Sequence, residues 1–275
     1  MGDAVPAPRL VATDLDGTLL RSDGTVSERT RRALVEIERA GLEVVIVTAR
    51  PPRWMDELGD LVGEHGIALC GNGAFVYDVR ARTVLQENPL EDELVAELVG
   101  ELRRAVPGVC FAAERRTGPY AEPHYPQTPP PGAAPGQVPV GPIEARDPAP
   151  IGKLLARAPD WDPVRFLTVV ETVVGSRAHL GYSGAEGLAE ITGPGVTKAA
   201  ALTAWVAVLG VHAEDVWAFG DMPNDLPMLR WAGRSFAVAN ADARVLAEVD
   251  EVCGANDEDG VAGALEGLLA RLAPR

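Results

Sequence analysis

Along the first part of the chain, short apolar runs that end in glycine-rich polar turns alternate with segments whose apolar positions recur every three or four residues. Leu10-Val11-Ala12-Thr13 is one such run, and it meets Asp14-Leu15-Asp16-Gly17-Thr18. This predicts a buried strand feeding a glycine turn. Ser27 suits the N-cap of a helix reaching Ala40, in which Ala33, Leu34, Ile37 and Ala40 recur at helical spacing and Gly41 supplies the stop. Leu42 to Val47 predicts a second strand. Thr48-Ala49-Arg50-Pro51-Pro52 follows, and its prolines suit the first turn of another helix extending to about Val62. Ile67 to Cys70 predicts a third strand, ahead of Gly71-Asn72-Gly73. Strand, helix, strand, helix, strand is the order of an α/β fold with a doubly wound parallel sheet. Ligands of such sheets gather at the carboxyl ends of the strands.

The alternation is less regular from about Tyr77 to Leu188. Glu91 to Val106 predicts a helix, Val109 to Ala113 and Val164 to Val174 predict strands, and Ile151 to Ala158 predicts a short helix. Between Pro119 and Pro150 lie 11 of the chain's 23 prolines, a density that predicts no regular element. Two readings of that stretch stay open, a long loop and a lid near a ligand. Regularity returns with a strand end at Ala189 to Thr192, a helix from Thr197 to Leu209 and a buried strand from Val216 to Phe219. Gly220-Asp221-Met222-Pro223-Asn224-Asp225 comes directly after. Phe236 to Ala239 and Glu251 to Cys253 predict further strands, and Val261 to Leu272 a closing helix.

Composition narrows the class. At 275 residues the chain suits one large or two modest domains, and 47% hydrophobic residues exclude wholesale disorder. The formal charge of −15 disfavours a long polyanion, so nucleic acid is not an expected partner. A small anion can still bind where a metal or a few cations overrule that field. Cys70, Cys110 and Cys253 have neither disulfide nor zinc spacing. With no leader pattern and no apolar run long enough for a membrane span, the expected location is the cytoplasm, with no membrane partner. Arginine carries nearly all the positive charge, because Lys153 and Lys198 are the only lysines.

Asp14 and Asp16 are two carboxylates at a predicted strand end. A calcium loop counted from Asp14 would need glycine at Leu19 and glutamate at Thr25, so that reading fails. The run Asp14-Leu15-Asp16-Gly17-Thr18 instead resembles motif I of the haloacid dehalogenase-like superfamily. The other three motifs follow in order: Thr48 after the second strand, Lys198 at a helix start, and Gly220-Asp221 with Asn224-Asp225 after a later strand. Gly71-Asn72-Gly73-Ala74, Gly195-Val196-Thr197-Lys198, Asn240-Ala241 and the segment from Asn256 to Val261 are similar to segments of its Cof-type phosphatases. Ala49 departs from the glycine more usual there.

The resemblance implies a Rossmann-like core made of residues 1–78 and 189–275, with an inserted α+β cap at 79–188. It implies that Asp14 is the nucleophile and Asp16 the acid and base, while Lys198 neutralises charge and Thr48 donates to a phosphoryl oxygen. It implies Mg²⁺ on Asp14, the carbonyl of Asp16, and Asp221, with Asn224 and Asp225 in support. A lysine at a helix N-terminus, where cations are disfavoured, independently suggests that Lys198 faces an anion. The implied reaction is hydrolysis of a small phosphorylated metabolite such as a sugar phosphate. A phosphomutase of the same superfamily and a non-catalytic phosphometabolite-binding regulator are the alternatives. Arg50, Arg53, Arg115 and Arg116 could each meet a substrate phosphate or carboxylate, although they read first as surface arginines; Arg50 and Asn72 are the further substrate-contact candidates. Lys153 reads as a solvated helix residue, and Trp54, Trp205 and Trp217 as core. His65, His124, His179 and His212 show no metal-ligand spacing.

Overall fold

The computed structural model describes residues 7–59, 61, 65–126, 131, 138–143 and 149–272. The chain begins β1 (Leu10–Thr13), α1 (Glu28–Arg39), β2 (Glu43–Val47), β3 (Ile67–Cys70), β4 (Phe75–Asp78) and β5 (Thr83–Glu87). It continues α2 (Asp92–Ala105), β6 (Cys110–Arg115), β7 (Gly118–Ala121), β8 (Lys153–Arg157), α3 (Pro163–Val174), β9 (His179–Gly181) and β10 (Leu188–Thr192). The last part is α4 (Lys198–Val208), β11 (Val216–Gly220), α5 (Leu226–Trp231), β12 (Arg234–Val238), α6 (Ala243–Leu246), β13 (Glu251–Cys253) and α7 (Gly260–Leu272).

Two sheets result. The large one runs β13-β12-β11-β1-β2-β3-β4-β5, parallel from β13 to β3 and antiparallel beyond. Its central strands are buried on both faces, which is why they are continuous apolar runs. Helices α1, α4, α5 and α7 close its core through Leu34, Leu202, Leu229 and Leu265. The small sheet, β7-β6-β8-β10-β9, is antiparallel throughout. One face buries Phe111, Leu154, Ala156 and Ile191 against Leu98 of α2 and Phe166 of α3. The other face, with Ala112, Leu155 and Glu190, lines a cavity shared with the large sheet. This is an α/β core with an α+β cap. By sheet membership β5 goes with the core and β10 with the cap, so the chain changes sheets after Glu87 and again after Thr192, not after 78 and 188.

Several elements differ from expectation. Residues 163–174 form a helix, not a strand: Asp162 caps it by accepting from the Arg165 amide, Pro163 opens it, and Phe166, Val170 and Val174 recur every four residues on its buried side. Residues 153–157 form a strand, not a helix, alternating between the cap core and the cavity. Among the described residues between Pro51 and β3, only the single turn Pro52–Trp54 is helical; Val62 lies outside the described residues. Pro119 sits within β7, an edge strand where a missing donor costs no ladder bond. Of the stretch 119–150, residues 127–130, 132–137 and 144–148 lie outside the described residues, while Tyr125, Pro126, Pro131 and Val138 line the cavity. Trp217 is buried, but Trp54 and Trp205 are only partly so. No described helix is long and apolar enough to cross a membrane.

Candidate active site

Strand register assembles the site. Thr13 lies level with Ile46 of β2 on one side and Phe219 of β11 on the other. Neighbouring strands are about 4.8 Å apart, so Asp14, Thr48 and Asp221 emerge side by side just past the three strand ends. Gly17 lets the chain turn back tightly: its φ is +78°, and a Cβ there would lie 2.4 Å from Asp221 Oδ2. Thr18 Oγ1 donates to Asp221 Oδ1 at 2.8 Å, fixing that carboxylate.

Lys198 reaches the same point from the first turn of α4. Thr197 caps this helix by accepting from the Ala200 amide, and Gly73 brings the Gly71–Gly73 turn against it, because a Cβ at Gly73 would lie 2.4 Å from the Thr197 carbonyl. Lys198 Nζ donates to Asp14 Oδ1 at 2.5 Å and to Asp225 Oδ1 at 2.7 Å, all three groups being buried. Asp225 Oδ2 accepts from the amides of Asp221 and Met222, so Asp225 fastens the loop to the lysine. Burial alone would lower the Lys198 pKa, but Asp14 and Asp225 hold it above its ordinary value. Burial pushes Asp14 well above the usual carboxylate range despite Lys198, with Asp225 and Asp221 adding to the rise. Burial, then Asp225, lifts Asp221 to about 6.

Asp16 and Thr48 stand apart from this cluster. The half-exposed Asp16 carboxylate receives Arg50 Nε at 2.8 Å and Nη2 at 2.7 Å, and Nη2 also donates to the Pro131 carbonyl at 3.1 Å. Thr48 Oγ1 accepts from the Arg50 amide at 3.0 Å, leaving its own proton to donate elsewhere. Thr48 is itself wholly buried.

Asp14, Asp221 and Asp225 each bring a carboxylate oxygen within 4.8 Å of the other two. Both Asp225 oxygens are already occupied by Lys198 and the two amides, which leaves Asp14 and Asp221 as side-chain ligands. Two buried carboxylates whose pKa values are raised by burial and crowding favour a cation, and an all-oxygen donor set suits Mg²⁺. The residues present therefore fit that ion.

Asn224 Nδ2 donates to Asn72 Oδ1 at 3.2 Å, and Asn224 Oδ1 and Asn72 Nδ2 are buried without partners. Asn224 lines the cavity, whereas Asn72 stands behind it, its side chain bonded to Asn224 and its backbone amide donating to the Thr48 carbonyl at 3.0 Å. The cavity, about 690 Å³, extends from Asp14, Asp16 and Lys198 to the cap sheet. Lys153 belongs to this roof and is not a solvated helix residue: it is 3% exposed and donates to Glu190 Oε1 at 2.7 Å and the Ala49 carbonyl at 2.6 Å. Burial alone would raise the Glu190 pKa, but Lys153 holds it below its ordinary value. Arg53 pairs with buried Glu114 in the same roof. Nor are Arg50 and Arg115 surface residues, at 3% and 6% exposed; Arg116 alone of the four is well exposed, near Glu87. No motif marked Glu114, Glu190 or Arg53, and the only signal for Lys153 was the rarity of lysine.

Known proteins resemble this chain in sequence and fold. A family model described as haloacid dehalogenase-like hydrolase matches residues 11–265. The chain is 29% identical over 264 residues to a pyridoxal phosphate phosphatase of Escherichia coli, covering 92% of this chain and 96% of that protein. It is 31% identical over 268 residues to a phosphoglycolate phosphatase of Methanopyrus kandleri, covering 94% and 97%. A haloacid dehalogenase-like hydrolase from Bacteroides thetaiotaomicron superposes with a TM-score of 0.74 at 25% identity, over 95% of this chain and 99% of that one. A Streptococcus mutans protein shares the fold with a TM-score of 0.82 at 23% identity, over 96% and 100%. With strand-end aspartates, a buried lysine and a family match that spans nearly its whole length, the chain belongs to the haloacid dehalogenase-like hydrolases.

Proposed function

We propose that this hydrolase is a Mg²⁺-dependent phosphatase acting on a small phosphomonoester, such as a sugar phosphate, through an aspartyl-phosphate on Asp14. The observation that carries the reading is the floor of the cavity, where Lys198 joins Asp14 to Asp225 beside Asp221. Its phosphatase relatives support the same class.

An Asp14 oxygen attacks phosphorus, and the bond from phosphorus to the leaving oxygen breaks. Asp16 protonates that oxygen as it departs; it then removes a proton from the water that attacks the aspartyl-phosphate, releasing phosphate and restoring both aspartates. Such proton transfer contributes roughly 10²- to 10⁴-fold. Lys198 offsets negative charge on the nucleophile and the phosphoryl group, and Asp225 holds it in place. The Thr48 hydroxyl, already accepting from the Arg50 amide, is free to donate to a phosphoryl oxygen. Asp14, the Asp16 carbonyl and Asp221 would hold Mg²⁺, which supplies positive charge to the phosphoryl oxygens when bound. A mutase of the same superfamily is the alternative reading, and isomerisation of a sugar phosphate without release of phosphate would establish it.

The test is phosphate release from a generic aryl phosphate by purified protein. The reading expects release with Mg²⁺, none with EDTA, and none from Asp14→Asn protein that melts as a folded domain. Full activity of that variant would overturn it.

A further inference from the structure

Thr48, Ala49 and Arg50 leave β2 as an irregular run, so their carbonyls must find donors outside any helix or strand ladder. Two find them in the core: the Asn72 amide donates to the Thr48 carbonyl at 3.0 Å, and the Gly71 amide to the Arg50 carbonyl at 2.8 Å. The Ala49 carbonyl between them has one donor among the described residues, and it comes from the cap: Lys153 Nζ at 2.6 Å. Gly152 lets β8 approach closely enough, because a Cβ there would collide with the Phe75 ring of β4. Glu190 Oε1, at 2.7 Å, supplies the counter-charge that keeps the buried ammonium ionised, while Glu190 Oε2 is buried without a hydrogen-bond partner.

A buried ion pair with an unmet oxygen is a poor fastening device, since apolar side chains in its place are often as stable. Arg53 with Glu114 already ties the cap to the core. What the lysine adds is its grip on one backbone oxygen, and that oxygen lies between two groups of the site. On one side stands Thr48; on the other, Arg50 donates its amide to Thr48 Oγ1 and its guanidinium to both oxygens of Asp16. We propose that Lys153 is a positioning residue: by holding the Ala49 carbonyl it sets the loop that aims Arg50, and through Arg50 the proton donor Asp16. This rests on the phosphatase reading and adds a cap residue to its mechanism.

The test measures kcat/KM of the full chain for aryl phosphates whose leaving groups range from nitrophenol to methoxyphenol. A nitrophenolate departs with little help from an acid, whereas a methoxyphenolate needs the proton that Asp16 delivers. Because kcat/KM covers only the steps up to departure of the phenol, the later step in which Asp16 acts as a base does not enter. The variant Lys153→Met/Glu190→Gln removes both buried charges, so neither is stranded. Comparing esters within one preparation makes the result independent of how much of it is folded. The methoxyphenyl ester is expected to lose about tenfold more than the nitrophenyl ester. Arg53→Met/Glu114→Gln, which breaks the other tie between cap and core, is expected to move both esters alike. Equal losses in the lysine variant, or the same skew in the Arg53 variant, overturn the positioning role and leave the phosphatase reading standing. Wild-type protein that hydrolyses no ester of the series overturns the phosphatase reading and this inference with it.

Discussion

Arg50 grips Asp16 with both arms of its guanidinium, Nε to Oδ2 at 2.8 Å and Nη2 to Oδ1 at 2.7 Å. A planar fork sets the direction of a carboxylate as well as its distance, which a lysine ammonium cannot do. In the proposed mechanism this fixes where the proton is delivered. Arg50→Lys is expected to lower kcat by about tenfold with a smaller change in KM, and Asp16→Asn by roughly 10²- to 10⁴-fold. Steady-state kinetics of the two variants check this, and an unchanged kcat in Arg50→Lys would refute the positioning role.

Removing Lys198 leaves Asp14 and Asp225 buried together without their cation. Breaking a buried pair in this way costs about 3–5 kcal/mol. Urea unfolding of Lys198→Met in EDTA is expected to show a loss of that order against wild type. A loss of under about 1 kcal/mol would place the lysine outside the ion-pair network.

The raised Asp221 pKa gives the metal-free protein a definite pH dependence. A carboxyl whose folded pKa lies above its unfolded value stabilises the fold at low pH, and that contribution disappears as pH rises through about 6. Mg²⁺ needs the ionised carboxylate. The rise in Tm on adding Mg²⁺ is expected to be largest above that pH and to shrink below it. A Mg²⁺ shift that is flat across this range would mean Asp221 is no ligand.

Glu190 behaves in the opposite sense. Its folded pKa is lowered by Lys153, so its contribution is complete above the ordinary carboxylate pKa and is lost as pH falls through the folded value. The Tm gap between wild type and Glu190→Gln is expected to hold at neutral pH and close in acid. A gap independent of pH would show that the pair adds no charge-dependent stability.

The core half of the site was legible because parallel strands advertise themselves. Leu10–Thr13 and Val216–Gly220 are buried on both faces, so their apolar runs stop abruptly at Asp14 and Asp221. The cap was harder to read, since its strands each have a cavity face and a core face. Ile151, Leu154, Leu155 and Ala158 fit helical spacing, while Leu154, Ala156 and Ala158 fit a strand equally well. Pairing with β6 and β10, distant in sequence, decides between them. Val164, Val169, Val170, Val173 and Val174 suggested a strand by β-branching, although Asp162-Pro163 is a helix-start signal that could have corrected it. Lys153 was misplaced along with its element. Its partner Glu190 comes from β10, which only the pairing of strands distant in sequence brings beside β8, and the pair of Arg53 with Glu114 depends on the cap folding over the core, which no local pattern encodes.

The most direct test of the account is to quench the enzyme during turnover of an aryl phosphate with Mg²⁺, reduce it with borohydride, and map the modified residue by mass spectrometry. A phosphoryl group carried on Asp14 should be reduced to homoserine at position 14, and Asp14→Asn should give none. Turnover with no adduct at Asp14, or an adduct on another residue, would contradict the central claim.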